Sequence, residues 1–371
     1  MISRKDNLRK VLRGEVPEWV PFSINFAQWY QHHKTFDILP GELKGTADYI
    51  DAMKVLQCDI FSRNVDGGVR ETEKEGIHST IEKKKPGGIQ YRHIYQTPYG
   101  QLQWVFESQE ALTTGHVSEY MVKDWSRERD AFLWLMENQD ISWDVGAFEQ
   151  TNNKIDDDGI LMVPVGRTPL KFMHTMYGLD GTCFFITDHY KDAKYVADMF
   201  WGKVIAAVRQ IADHPETEAA ILMDNIDTPF YPPVYCRDFW RPYVKEAAEI
   251  MHEKGKVLFV HACGKLAGLK GEYVAAEVDG LEGISAPPLG DWPYPEAKKC
   301  HPKFIVNGGF SAHEQEAEDR QRLRAYYEDI FEKMRPFDRW IFAASCQTAI
   351  HTTWEQIKFV RDMVRELGTI E

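Results

Sequence analysis

Three side chains in this sequence carry the chemistry of a metal centre. The apolar run Val257-Leu258-Phe259-Val260 ends in His261, Ala262, Cys263 and Gly264, and Trp340-Ile341-Phe342-Ala343-Ala344 ends in Ser345 and Cys346. Imidazole nitrogen and thiolate sulfur are donors that Zn²⁺ favours, and catalytic zinc sites usually keep three protein ligands and one open position. His261 and Cys263 stand at i, i+2, a spacing at which a strand passing into a loop can turn both side chains toward one ion. Cys346 must come from a different strand. Zinc in such a site either lowers the pKa of a bound water for hydrolysis or holds a substrate thiol as thiolate, the nucleophilic form. Two thiolate ligands make the ion a poorer Lewis acid toward water and leave a bound sulfur or oxygen more nucleophilic. The set therefore leans toward alkyl transfer.

The elements that must position these residues follow from periodicity. Ser3 to Leu12 reads as a short polar helix closed by Gly14, Trp19 to Asn25 as a first strand, Asp48 to Leu56 as a helix and Asp59 to Ser62 as a second strand. Gln90 to Tyr95 and Gln101 to Glu107 alternate around Thr97-Pro98-Tyr99-Gly100 and predict an antiparallel hairpin. From residue 159 the pattern becomes regular. Strands are expected at Gly159 to Val165, Ala219 to Asp224, Val257 to His261, Gly280 to Ser285, Phe304 to Asn307 and Trp340 to Ala344. Helices are expected from Pro169, over Ala193 to Ala212, Arg237 to Glu253, Leu266 to Glu277, Glu314 to Met334 and Thr353 to Glu366. Short apolar runs alternating with longer helical stretches imply βαβ units and a buried parallel sheet.

There are enough units for an α/β fold of the (β/α)8 TIM-barrel type, in which strand ends on the C-terminal face converge on one site. The whole chain, 1–371, is expected as one barrel domain. Residues 1–150 form its N-terminal elaboration with the β-hairpin insertion, and residues 159–371 its regular β/α units.

Bulk composition narrows the function classes. The 371 residues carry 57 acidic against 44 basic side chains, a net charge of −13, which argues against a surface built to neutralise nucleic-acid phosphates. No stretch approaches the ~18 apolar residues of a membrane span, and the charged start Met1-Ile2-Ser3-Arg4-Lys5-Asp6 is not that of a secretory signal. Six cysteines without framework spacing fit reduced thiols in a cytoplasmic protein. Of these, Cys58, Cys183, Cys236 and Cys300 read as structural fillers. His32, His33 and His351 read as loop or helix-surface histidines.

Around the triad, several strands end in polar residues, among them Asp224, followed by Asn225 and Asp227, and Asn307. Asp224 is the candidate for a fourth ligand, a group orienting His261, or a proton acceptor; an N-cap or loop aspartate is the alternative. Trp29, Tyr30, Tyr177, Phe230 and Tyr231 are candidates for an aromatic wall that would take a methoxylated ring or a quaternary ammonium, and core packing explains them equally well. Trp29, Tyr30, Tyr177 and Asp227 are the candidate substrate-binding residues, and Asp224 and His261 the candidate catalytic ones.

Arg4-Lys5-Asp6-Asn7-Leu8-Arg9-Lys10-Val11-Leu12-Arg13-Gly14-Glu15, followed by Pro17 and Val20-Pro21, resembles the opening of the uroporphyrinogen decarboxylase superfamily. Gly166-Arg167-Thr168-Pro169-Leu170 and Tyr177-Gly178-Leu179-Asp180-Gly181 resemble its mid-chain region. The stretch from Phe239 through His261-Ala262-Cys263-Gly264 to Cys346 is similar to its zinc-dependent methyltransferase branch. The resemblance implies a TIM-type barrel, His261, Cys263 and Cys346 as zinc ligands, and methyl transfer to or from a corrinoid (cobalamin) carried on a separate corrinoid protein. The decarboxylases carry an arginine-rich segment near the N-terminus. Here the corresponding Ser23-Ile24-Asn25-Phe26-Ala27-Gln28-Trp29-Tyr30 has no arginine, which turns the reading away from porphyrinogens. Where the methyltransferases have Pro-Gly before the distal cysteine, this chain has Ala344-Ser345.

The expected protein is thus a zinc-dependent methyltransferase acting between a small-molecule methyl donor or thiol, such as coenzyme M, and a corrinoid. An O-demethylase component is one form of it. A cofactor-free decarboxylase of a polycarboxylic substrate is the alternative.

Overall fold

Residues at every second strand position build the inner face of one parallel sheet. The computed structural model describes residues 2–109, 114–315 and 319–370. In chain order the strands are β1 (Ile60–Ser62), β2 (Val69–Glu73), β3 (His78–Lys85), β4 (Gly88–Thr97), β5 (Gly100–Gln109), β6 (Gly115–Glu119) and β7 (Gln139–Trp143). They continue as β8 (Gly159–Gly166), β9 (Ala219–Met223), β10 (Val257–His261), β11 (Gly280–Glu282), β12 (Ile305–Asn307) and β13 (Trp340–Ile341). Seven of them form the main sheet in the order β1-β8-β9-β10-β11-β12-β13, every neighbouring pair parallel. Parallel neighbours need a crossover. Helices supply it, for example Tyr190–Asp213 before β9 and Arg241–Glu253 before β10.

Side chains alternate across the sheet. Phe61, Ile160, Met162, Ala219, Ile221, Phe259, Ile305 and Ile341 pack into one cluster with Leu8 and Val11 of the first helix, Arg4–Leu12. Their alternates, such as Ala220, Leu222, Leu258, Val260, Leu281 and Val306, join the larger cluster with the surrounding helices. Gly280 makes room in the first cluster, because a Cβ there would lie 2.5 Å from the Phe259 ring. One strand step beyond this apolar layer the inner face turns polar, at His261, Glu282 and Asn307.

The first strand expected from the sequence, Trp19 to Asn25, is not a full strand. Phe22 makes a single-residue parallel bridge to Phe342, and Trp19 a bridge to Thr369. Ser23 N–H donates to the Phe342 carbonyl and Phe342 N–H to that of Pro21, both at 2.8 Å, while Asp59 N–H donates to Phe22 at 2.8 Å. Residues 21–23 thus bond to the β13 side and the β1 side of the sheet. Pro21 has no N–H to give, which keeps the pairing short.

The expected hairpin residues pair as β4 with β5, inside a four-stranded antiparallel sheet of order β3-β4-β5-β6. The pair β2–β7 is a separate small antiparallel sheet absent from the sequence reading. Arg237 to Glu253 is broken at Trp240 into Pro233–Phe239 and Arg241–Glu253. Leu266 to Glu277 holds a short helix, Lys270–Ala275. Of the stretch from Glu314 to Met334, Arg320–Lys333 is helical, and residues 316–318 lie outside the described residues. No helix among the described residues is long and apolar enough to cross a membrane.

Candidate metal centre

His261, Cys263 and Cys346 each bring one ligand atom into a group whose members all lie within 4.8 Å of one another. Ligands at normal Zn–N and Zn–S distances around one tetrahedral ion would stand about 3.5–3.8 Å apart, so the group needs only a small contraction to close on a cation. His261 is the last residue of β10, inner-facing and 3 % exposed. Cys263 follows in the exit loop, and Cys346 lies beyond β13; both are half-buried.

The loops are fixed by backbone bonds. The His261 carbonyl accepts from Asp224 N–H at 3.2 Å and Asn225 N–H at 2.9 Å, and Ala262 N–H donates to Glu282 at 3.0 Å. Asn25 Nδ2 donates to the Cys346 carbonyl at 3.1 Å. Gly264 closes the His-x-Cys-Gly element at φ +103°, where a Cβ would lie 2.6 Å from Asp227 Oδ2, so both conformation and space require glycine.

Glu282 completes the centre. It pairs in register with His261 across β10 and β11, and its Oε2 contacts His261 Nδ1. That contact leaves Nε2 as the ring nitrogen for a metal, as in sites where a carboxylate orients a ligand histidine. Arg63, just past β1, donates from Nε to the same Glu282 oxygen at 2.8 Å and places Nη2 3.4 Å from each His261 ring nitrogen. The side chains of Arg63 and Glu282 are 9 % and 6 % exposed. Burial pushes the Glu282 carboxyl up, but the charges of Arg63 and His261 outweigh it and hold it at about 2. Neither Arg63 nor Glu282 is among the site residues expected from the sequence; a charged residue at the end of an apolar strand is the signal each offers.

The Cys263 and Cys346 sulfurs lie within 4.8 Å of each other. The neighbouring Cys263 thiol and His261 lower the pKa of Cys346 against the opposing effect of burial, while Cys263 is pushed up by Cys346 and by burial. The first of the two thiols to ionise opposes ionisation of the second, and a cation between them would offset the charge of both. The donor set, the separations and the oriented imidazole all suit zinc. Cys263 also contacts Asn225 Oδ1 at 3.4 Å.

Asp224 stands outside this group. It is fully buried, with Oδ1 accepting from Thr168 N–H at 2.8 Å and Oδ2 from Trp240 Nε1 at 2.5 Å. Burial raises its pKa against those two donors. Its carboxylate clamps the start of the helix after β8, so the geometry gives it a positioning task.

The aromatic candidates are not brought together as one wall. Trp29 stacks on His33 and Trp354 and donates to the Thr352 carbonyl at 2.8 Å. Tyr30 bonds Thr46 Oγ1 at 2.9 Å. Tyr177 packs among Trp125, Phe132 and Phe185. Phe230 is 49 % exposed, and buried Tyr231 bonds His174 Nδ1. Asp227 lies against Gly264 with Oδ1 buried and lacking a hydrogen-bond partner. The remaining cysteines are free thiols, and burial pushes Cys236 up to about 12 and Cys300 to about 11, as for inert fillers.

Beside Arg63 and Glu282, a cavity of about 10 Å³ is lined by polar Asn25, Ser62, Asn64 and Asn307. That is room for roughly one water, and Asn307 Oδ1 is buried there without a partner.

No family model matches the chain and no curated protein matches its sequence, so the superfamily resemblance rests on the motifs quoted above. Among solved structures the fold is similar to that of a methyltransferase from Methanosarcina mazei, at 11 % identity over 99 % of each chain with a TM-score of 0.62. A protein from Listeria monocytogenes provisionally assigned as a vitamin-B12-independent methionine synthase matches at 12 % identity over 94 % of this chain and 96 % of its own, with a TM-score of 0.41. At such identity the first likeness shows a shared α/β fold with a parallel sheet.

Proposed function

We propose that this chain is a zinc-dependent methyltransferase, working between a small-molecule methyl donor or thiol and a corrinoid carried by a partner protein. The parallel sheet is read as a (β/α)8-type barrel completed by residues 21–23. The observation that carries the reading is the His261–Cys263–Cys346 group with Glu282 behind the imidazole. The neighbour from Methanosarcina mazei, itself a methyltransferase, supports it.

A bound zinc would supply a site that keeps a substrate sulfur or oxygen nucleophilic. The chain's own residues do the rest. Glu282 holds His261 in one orientation and one tautomer, with Nε2 free. Cys263 and Cys346 bring two negative charges, which favour alkyl transfer over activation of water. Arg63 offsets the charge of Glu282 and fixes its position. Asp224, through Thr168 and Trp240, keeps the neighbouring loops in place around the mouth.

Metal analysis of the purified protein tests the ligand set. The wild type should hold about one zinc per chain and Cys346→Ser much less, since catalytic zinc sites keep three protein ligands; equal contents would sink the assignment. A screen of methyl donors with cob(I)alamin, followed by the cobalt absorbance change, then tests the transfer. No response to any aryl methyl ether, methylamine or methyl thioether would remove the demethylating direction.

A further inference from the structure

Lys171 lies in the first turn of the helix Pro169–Asp188, directly after β8. The loops after β8, β9 and β10 are neighbours in the sheet order, so this turn stands beside the loops that carry Asp224, Asp227 and Cys263. Lys171 is half-buried, and its Nζ lies 3.3 Å from His174 Nδ1. That nitrogen also faces the Tyr231 hydroxyl. A neutral imidazole offers one acceptor lone pair, so it cannot serve the ammonium and the phenol together.

No carboxylate pairs with Lys171 among the described residues. Asp224 already accepts two hydrogen bonds, and neighbouring Arg167 is committed to both oxygens of Glu71 at 2.8 Å. Backbone bonds tie this turn to the metal centre: Thr168 N–H, three residues before Lys171, donates to Asp224 Oδ1 at 2.8 Å, and Asp224 N–H donates to the His261 carbonyl at 3.2 Å. Burial lowers the Lys171 pKa against the charges of Asp224, Cys263 and Asp227. A partly buried ammonium without a counter-ion is costly, and an incoming anion would relieve that cost through charge-assisted hydrogen bonds.

We propose that Lys171 is an anion subsite of the metal centre, receiving the carboxylate or sulfonate of a small organic acid whose donor atom faces His261, Cys263 and Cys346. The role of the donor atom rests on the methyl-transfer reading above; the anion subsite does not.

The experiment is calorimetric titration of chelator-treated and zinc-loaded protein with two matched pairs of probes. Propanesulfonate against propanol reads the anion alone, and mercaptopropionate against mercaptopropanol reads anion and thiol together. The wild type should bind the anionic member of each pair about tenfold or more tightly, the worth of a charged hydrogen bond. Lys171→Met should lose that preference and Lys171→Arg keep most of it, with zinc content unchanged in both.

Equal affinity for acid and alcohol in the wild type, or an undiminished preference in Lys171→Met, overturns the subsite. If only the zinc reading is wrong, the sulfonate preference survives in chelator-treated protein while zinc adds nothing to thiol binding. Should Lys171→Met fail to fold, acetylation of the wild type decides. Protection of Lys171 from acetic anhydride by propanesulfonate, read by peptide mass spectrometry, supports the subsite, and no protection overturns it.

Discussion

Single charges in this protein are set by their immediate neighbours, and His174 shows how. Burial first and the Lys171 ammonium second lower its pKa from the ordinary 6.5 to about 4. The folded state therefore binds that proton less tightly than the unfolded chain. The neutral ring contributes stability that is complete above pH 6.5 and lost as pH falls toward about 4. In Lys171→Met the electrostatic cause disappears while burial remains. The imidazole resonances should then titrate above the wild-type midpoint but still below 6.5. An unchanged NMR midpoint would mean that the ammonium does not act on the ring. Glu282 is the opposite case, a buried carboxylate kept ionised because Arg63 and His261 outweigh the cost of burial. The same reasoning explains why the site was only half legible as sequence. His261, Cys263 and Cys346 announce themselves by residue type, whereas the task of Glu282 exists only once β10 sets His261 beside it and Arg63 arrives from the loop after β1.

At the scale of elements, the segment 19–23 bonds to residues beside both edge strands of the sheet, Asp59 before β1 and Phe342 after β13. Asp59, 4 % exposed, accepts from Trp19 Nε1 and from Phe22 N–H, each at 2.9 Å. Removing its carboxylate in Asp59→Ala leaves a buried peptide N–H and an indole without acceptors, at a cost of about 3 kcal/mol. Denaturant unfolding measures it; a loss below about 1 kcal/mol would mean that the segment is a passive loop. Element type was readable wherever burial on both faces writes an apolar run, as in Gly159 to Val165 and Val257 to His261. It was not readable in β2, Val-Arg-Glu-Thr-Glu, whose partner Gln139–Trp143 lies far along the chain and whose own residues are half-buried or exposed. Trp19 to Asn25 misled in the other direction. Its pattern is that of a strand, but Pro21 lacks the N–H that a longer ladder needs.

For the whole molecule, the metal group joins distant parts of one sheet. His261 and Cys263 leave β10, Cys346 follows β13, and β11 and β12 lie between those strands in the sheet order. An ion held by all three ligands binds only the folded arrangement, so it adds stability by mass action, about 2.7 kcal/mol when free metal is a hundredfold above the dissociation constant. Chelation should therefore lower the wild-type melting temperature, and restoring zinc should raise it again. In Cys346→Ser the melting curve should be nearly the same with and without chelator, because the ligand set is already broken. Glu282→Gln should fall between the two, since the three ligands remain but the imidazole loses the carboxylate that orients it, a change that typically weakens metal binding about 10–100-fold. Differential scanning calorimetry of the three proteins, each with chelator and with zinc, reads all of these shifts. If wild type and Cys346→Ser respond alike to chelator, the three side chains do not act together on an ion. The order wild type, Glu282→Gln, Cys346→Ser is the signature of a centre in which one buried carboxylate sets the grip of the ligands in front of it.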